Sequence, residues 1–120
     1  MSAHTCEAVV VHCIDFRLQQ FLNDWLTKRF GIQNYDRISW AGGVRDFSSV
    51  QNQIRMSSKL HSVKKVILIN HEDCGAYGAI GTKDRHVSDL AYAEQVIKSS
   101  LYLDVEKYYL HLDGEFERIT

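Results

Sequence analysis

Proline is absent from the 120 residues, and neither a low-complexity stretch nor an internal repeat stands in its place. Proline-rich linkers and repeat arrays are thereby excluded. No apolar run approaches the length needed to span a bilayer. Charge of one sign is also missing: 14 basic and 15 acidic side chains leave a net charge of -1. A chain without a basic surplus or stripe gives no case for nucleic-acid binding. The first dozen residues lack the basic start and apolar core of a secretory signal, so a cytoplasmic location is expected, with no membrane partner. Cysteine is scarce, and Cys6, Cys13 and Cys74 cannot all pair within one chain. In a reducing compartment such thiols read as free groups or metal ligands rather than as a disulfide framework. Cys6 receives no role.

What is present is a globular balance, 45% apolar and 24% charged, in a length that supports a single domain over residues 1–120. Ala8 to His12 is a β-branched run suited to a strand buried on both faces. Leu18, Phe21, Leu22, Trp25, Leu26 and Phe30 then recur at helical spacing, and Gly31 stands where a C-cap glycine belongs. Asp36 to Trp40 reads as a short strand ending in Ala41-Gly42-Gly43, and Phe47, Val50, Ile54 and Leu60 mark a weaker helical stripe. Lys65 to Ile69 is a second buried-type strand, with a glycine-punctuated turn over Asn70 to Gly81. A helix is predicted over Ser88 to Leu101 and a strand over Tyr108 to Leu112. Asp113-Gly114 then turns the chain back through Glu115 to Ile119. Strands alternating with helices imply an α/β fold with a mostly parallel sheet and an antiparallel C-terminal edge strand.

Two segments carry chemistry, each just past a buried-type strand: His12-Cys13-Ile14-Asp15-Phe16-Arg17 and Asn70-His71-Glu72-Asp73-Cys74-Gly75-Ala76. Open parallel sheets bind ligands beyond the carboxyl ends of their strands, where strand order reverses. If these two strands are neighbours, Cys13 reaches His71 and Cys74. Two thiolates and an imidazole suit Zn2+ in a tetrahedral site, and three protein ligands leave a fourth position open, as catalytic sites do. Arg17 can hold the Asp15 carboxylate in one orientation through a bidentate pair. So held, Asp15 orients or accepts the proton of a zinc-bound water; unrestrained, it occupies the fourth position itself. Taken singly, each feature has a plainer explanation, a buried thiol or a surface ion pair, and only their joint placement favours the metal. A phosphatase-type cysteine loop fits less well, because Gln19 stands where its arginine would be and the phosphate-cradling glycines are missing. A Cys13/His71 nucleophilic dyad leaves Cys74 without a task.

The paired Cys13-x-Asp15-x-Arg17 and His71-x-x-Cys74-Gly75 motifs resemble the signature of the β-class carbonic anhydrases, and Ile38 to Gly43 is similar to that family's Arg-Asn-Ala-Gly segment. The resemblance runs from about Ala8 to the end. It implies a sheet order of 2-1-3-4, zinc held by Cys13, His71 and Cys74, and an Asp15–Arg17 dyad that activates zinc-bound water. The implied activity is reversible hydration of carbon dioxide to bicarbonate through zinc-bound hydroxide. It also implies a homodimer or higher homo-oligomer, and Asp15 as a reversible fourth zinc ligand. The departures are Phe16 for a serine, Asn70 for a glycine, Ser39-Trp40 for Arg-Asn, and no glutamine before Gln19. They keep two alternatives in view: a non-catalytic zinc-binding or regulatory domain, and a hydrolase of a related linear substrate, COS or CS2.

Overall fold

A computed structural model describes residues 4–120. Its elements are β1 (Ala8–His12), α1 (Gln19–Phe30), β2 (Tyr35–Ser39), α2 (Phe47–His61), β3 (Lys65–His71), α3 (Lys83–Leu101), β4 (Asp104–Leu110) and β5 (Phe116–Ile119), with a 3-10 turn at Gly78–Ile80. The five strands form one sheet in the order β2-β1-β3-β4-β5. β1 pairs in parallel with β2 from Ala8↔Tyr35 and with β3 from Ala8↔Lys65. β3 pairs in parallel with β4 from Lys65↔Asp104, and β4 pairs antiparallel with β5 from Lys107↔Ile119. The expected α/β class, the 2-1-3-4 order and the antiparallel edge strand are all present.

The alternation of side chains along β1 builds a core on each face of the sheet. Val9 and Val11 join Val66, Leu68, Val50, Ile54, Leu90 and Ile97 under α2 and α3. Ala8 and Val10 join Ile67, Ile69, Leu22, Leu26 and Leu110 under α1. Every residue of β1 is buried, which explains why its sequence reads as an unbroken apolar run. α1 ends where expected, with Gly31 at positive φ (+81°) and its N–H bonded to the Thr27 carbonyl (2.8 Å). It also covers the edge strand, its Trp25 stacking on Phe116 with ring centroids 4.4 Å apart.

Two element starts and one helix face differ from the sequence reading because a polar residue occupies a core position. α3 begins at Lys83, five residues earlier than expected; Thr82 caps it by accepting from the Arg85 N–H (3.2 Å), and its first buried side chain is His86. β4 begins at Asp104, and its buried Glu106 and Lys107 conceal the strand pattern. Glu106 is paired there with Arg29, and Lys107 with Glu94 (3.0 Å). In α2 the apolar stripe stops short of Leu60, which is 58% exposed; Ser57 takes the inward position and donates to Asp36 Oδ2 (2.6 Å). Among the described residues no helix is long and apolar enough to cross a membrane.

Candidate metal centre

Strand order reverses between β1 and β3, since the chain leaves β1 for β2 on one side and continues from β3 to β4 on the other. Chain ends that diverge at such a point leave a crevice at the carboxyl edge of the sheet. Cys13 follows β1 directly, His71 is the last residue of β3, and Cys74 lies three residues beyond it. All three are buried, and their donor atoms lie within 4.8 Å of one another. Cys13 Sγ and Cys74 Sγ are 4.0 Å apart. Two thiolates on one tetrahedral zinc, at about 2.3 Å each, stand about 3.8 Å from each other.

The polar bonding of His71 tests the fit. Its ring Nδ1 donates to the Glu72 carbonyl (2.7 Å), which fixes the tautomer and leaves the Nε2 lone pair free. That Nε2 is buried and has no hydrogen-bond partner among the described residues. A buried polar atom left unsatisfied is costly and calls for an explanation. A cation held jointly with the two sulfurs supplies one, and the donor set fits zinc.

The electrostatics favour one negative charge shared across the sulfur pair. The contact with Cys74, with His71 alongside and the Gly42 N–H at 3.3 Å, pulls the Cys13 thiol below its ordinary value despite burial. The same contact pushes Cys74 up, with burial adding to the effect. Burial works against a charge on His71, yet the Cys13 sulfur outweighs it and raises the imidazole. A metal ion held by Cys13, His71 and Cys74 would take the place of the protons these groups share.

Asp15 and Arg17 stand beside the triad. Asp15 Oδ2 is 3.9 Å from His71 Nε2. Arg17 clasps the carboxylate from two sides, Nε to Oδ1 (3.1 Å) and Nη2 to Oδ2 (2.7 Å), while its backbone N–H donates to Oδ1 (2.9 Å). The hydrogen bonds from Arg17 hold the Asp15 carboxyl down at about 2, so it is ionised throughout the neutral range. Arg17 in turn is anchored to Asp73, on the carboxylate (3.1 Å) and the carbonyl (2.9 Å).

Other supporting residues were not legible beforehand. Gly42 and Gly43 both have positive φ, and a side chain on Gly43 would collide with Asn70 Oδ1. That oxygen accepts from the Val44 N–H (3.1 Å), so the residue in the place of the family's glycine ties the β2 loop to β3. Asn70 Nδ2 also donates to the Tyr77 hydroxyl and to His86 Nδ1 (2.9 Å each), and Tyr77 donates to Asp89 (2.7 Å). His86 is wholly buried. Burial holds its pKa down at about 4, which keeps it neutral. Behind Cys13, His12 is wedged between the Cys13 carbonyl (2.9 Å) and Arg37 Nε (3.0 Å). The Gly42-Gly43 pair was the one signal in the sequence for this layer, because only glycine takes such φ values cheaply.

The fold and this donor set define an α/β protein with a soft, three-donor, metal-type site at the strand-order reversal of a mostly parallel sheet. The profile of the family described as "Putative carbonic anhydrase" matches residues 3–120, and the chain belongs to that family. A protein of Rickettsia conorii is 28% identical over 132 residues, spanning 92% of this chain and 70% of its own length. In three dimensions the chain is similar to a carbonic anhydrase from Glaciozyma antarctica, with a TM-score of 0.73 at 17% identity over 100% of this chain and 85% of the other. It is also similar to a β-carbonic anhydrase from Trichomonas vaginalis, with a TM-score of 0.66 at 15% identity over 99% and 85%. At those identities the structural likeness establishes the fold.

Proposed function

We propose that this chain is a zinc-dependent carbonic anhydrase that reversibly hydrates carbon dioxide to bicarbonate, with Cys13, His71 and Cys74 as the zinc ligands. The observation that carries the reading is the buried, unpartnered Nε2 of His71, facing two cysteine sulfurs and an ionised Asp15. Zinc, when bound, supplies the Lewis acidity that brings a water pKa from 15.7 toward about 7. The remaining work falls to side chains. Asp15, charged and held in one orientation, accepts a hydrogen bond from the reacting water and orients it, while the proton released on ionisation leaves to solvent. Arg17 positions that carboxylate and keeps both of its oxygens engaged, which favours an open fourth position over an Asp15 locked on the metal. Asp73 steadies Arg17, and the Gly42 N–H spreads the charge on Cys13.

Burial of the site keeps competing water away from the sulfurs, and the three cysteines are unpaired, as a reducing, cytoplasmic setting requires. The exposed Ile14, Phe16, Trp40 and Ile80 all belong to segments that leave the carboxyl edge of the sheet. Their apolar surface supports a homodimer or higher homo-oligomer formed around the site mouth. The whole chain, residues 1–120, acts as a single domain in this reading.

Metal content and carbon dioxide hydration, measured together on purified protein across about pH 7 to 9, test the proposal over the range that spans a zinc-water pKa. Stoichiometric zinc with activity rising through that range is the expected result. Zinc without hydration at any pH would overturn the enzyme and leave a binding domain.

A further inference from the structure

A second convergence of donors lies at the opposite, amino-terminal end of the sheet. Cys6 precedes β1, Asp36 is the second residue of β2, and His61 closes α2. Seven residues of extended chain separate Cys6 from Cys13, on the order of 20 Å, so the two clusters cannot share an ion. One ligand-capable atom from each of Cys6, Asp36 and His61 lies within 4.8 Å of the other two. The His4 ring stands beside them, its centroid 5.0 Å from that of His61. We propose that Cys6, Asp36 and His61, with His4 as a further ligand, form a second site for a borderline-soft divalent cation of the zinc type.

The donor chemistry is that of a Cys/His/carboxylate zinc set rather than of a calcium or magnesium cage, which would need more oxygens. The surroundings are built for a cation. The site opens into a pocket of about 240 Å³ that is lined by these side chains together with Gln33 and Tyr35. It lies at the carboxyl end of α2, where the helix dipole favours positive charge. Ser57 donates to Asp36 Oδ2 (2.6 Å) and so orients the carboxylate from behind. The Cys6 backbone N–H is bonded to the His61 carbonyl (3.1 Å), fixing the segment that carries the thiol against the end of the helix.

Ligation asks for modest rearrangement. His61 Nδ1 and Asp36 Oδ2 are hydrogen-bonded at 2.6 Å. Nitrogen and oxygen ligands at about 2.0–2.1 Å on a tetrahedral zinc stand about 3.3 Å apart, so that pair opens by about 0.7 Å. Cys6 Sγ makes a long contact to the Ala8 carbonyl (3.6 Å), a weak bond to give up for a ligand bond. On binding, the Cys6 S–H bond breaks and its proton leaves to solvent, His61 takes the tautomer with its proton on Nε2 so that the Nδ1 lone pair faces the ion, and the sulfur–metal bond forms. The ion then ties the segment before β1 to β2 and α2.

The test counts zinc on the full chain by metal analysis after loading with zinc and exhaustive buffer exchange, with circular dichroism as the check on folding. Wild type is expected to keep two equivalents. Cys6→Ser and Cys6→Ser/His61→Ala should keep one, and Cys13→Ser/Cys74→Ser should keep one, which the added Cys6→Ser abolishes. Cobalt loading of wild type gives an independent readout, in which Cys6→Ser removes part of the thiolate-to-cobalt absorption while the Cys13/Cys74 part stays. One equivalent in wild type, with the cobalt absorption indifferent to Cys6→Ser, would overturn the proposal and leave Asp36–His61 as an ion pair at a helix end. That count separates the two centres, because zinc retained by the Cys6→Ser chain reports on the carboxyl-edge site alone.

Discussion

The two ends of the sheet carry similar donor chemistry in opposite states of preparation. At the carboxyl edge Cys13, His71 and Cys74 are all buried, and His71 Nε2 has no partner. At the amino edge Cys6, Asp36 and His61 are half-buried, and their polar atoms are already bonded to one another or to the backbone. The first set is costly without an ion and gains one at little reorganisation. The second is content without an ion and must exchange a hydrogen bond for a ligand bond. Burial and unmet hydrogen bonding, more than residue type, therefore rank the two sites, and the carboxyl-edge centre is expected to bind the more tightly.

The largest effect should come from removing a carboxyl-edge ligand. Cys13→Ala, His71→Ala or Cys74→Ala is expected to lose carbon dioxide hydration by more than about 100-fold, since even outer-shell changes at metal sites cost 10- to 100-fold. Metal analysis should show the corresponding loss of zinc. A fully active Cys74→Ala protein would end the ligand assignment. Next in size, Arg17→Ala frees Asp15 from its clasp, and kcat should fall by about 10- to 100-fold with the zinc retained. Unchanged hydration in that variant would remove the dyad from the mechanism.

A third prediction concerns the scaffold that holds the two ends apart. The hydrogen bonds from Arg29 hold the buried Glu106 carboxyl down at about 2, against an ordinary value of 4.5, and the Tyr108 hydroxyl also donates to it (2.7 Å). A carboxylate with a depressed pKa in the folded state stabilises fully above the unfolded value. Its contribution is lost as pH falls from about 4.5 toward 2. Glu106→Gln should cost about 3 kcal/mol at neutral pH. Urea titrations at pH 7 and pH 3 check this, because the gap between wild type and variant must shrink at the lower pH. A gap that stays constant would show that the ion pair contributes no net charge effect.

The smallest effect belongs to the amino edge. Zinc at saturating concentration, about 100-fold above its dissociation constant, adds about 2.7 kcal/mol to a folded state that alone binds it. Calorimetry of the Cys13→Ser/Cys74→Ser chain should show a rise in Tm with added zinc that Cys6→Ser removes. An equal rise in both chains would place the ion elsewhere.

The contrast between the edges also marks what could be read in advance. The buried strands at Ala8 and Lys65, the first helix with its closing Gly31, and the Asp113-Gly114 turn announce themselves through period, β-branching and turn chemistry. Those signals are local, and so they are written in adjacent residues. Cys13, Asp15, Arg17, His71 and Cys74 were legible too, because each falls at the end of, or just past, a strand of unmistakable type. The starts of α3 and β4 were not, since His86, Glu106 and Lys107 fill core positions as polar groups, and their partners are far away along the chain.

Sequence alone thus determined the class of fold, the two motif segments and the residue types that can meet a soft metal. Only the tertiary structure decided that Asp73 anchors Arg17 and that Asn70 joins the glycine loop to Tyr77 and His86. It also brought Cys6, Asp36 and His61 together from three separate stretches of chain. The physical reason is the same throughout. Periodicity and capping act over one or two turns of backbone, whereas a hydrogen bond or a ligand cluster between distant residues exists only once sheet order and register have fixed which atoms come within about 3 Å of each other.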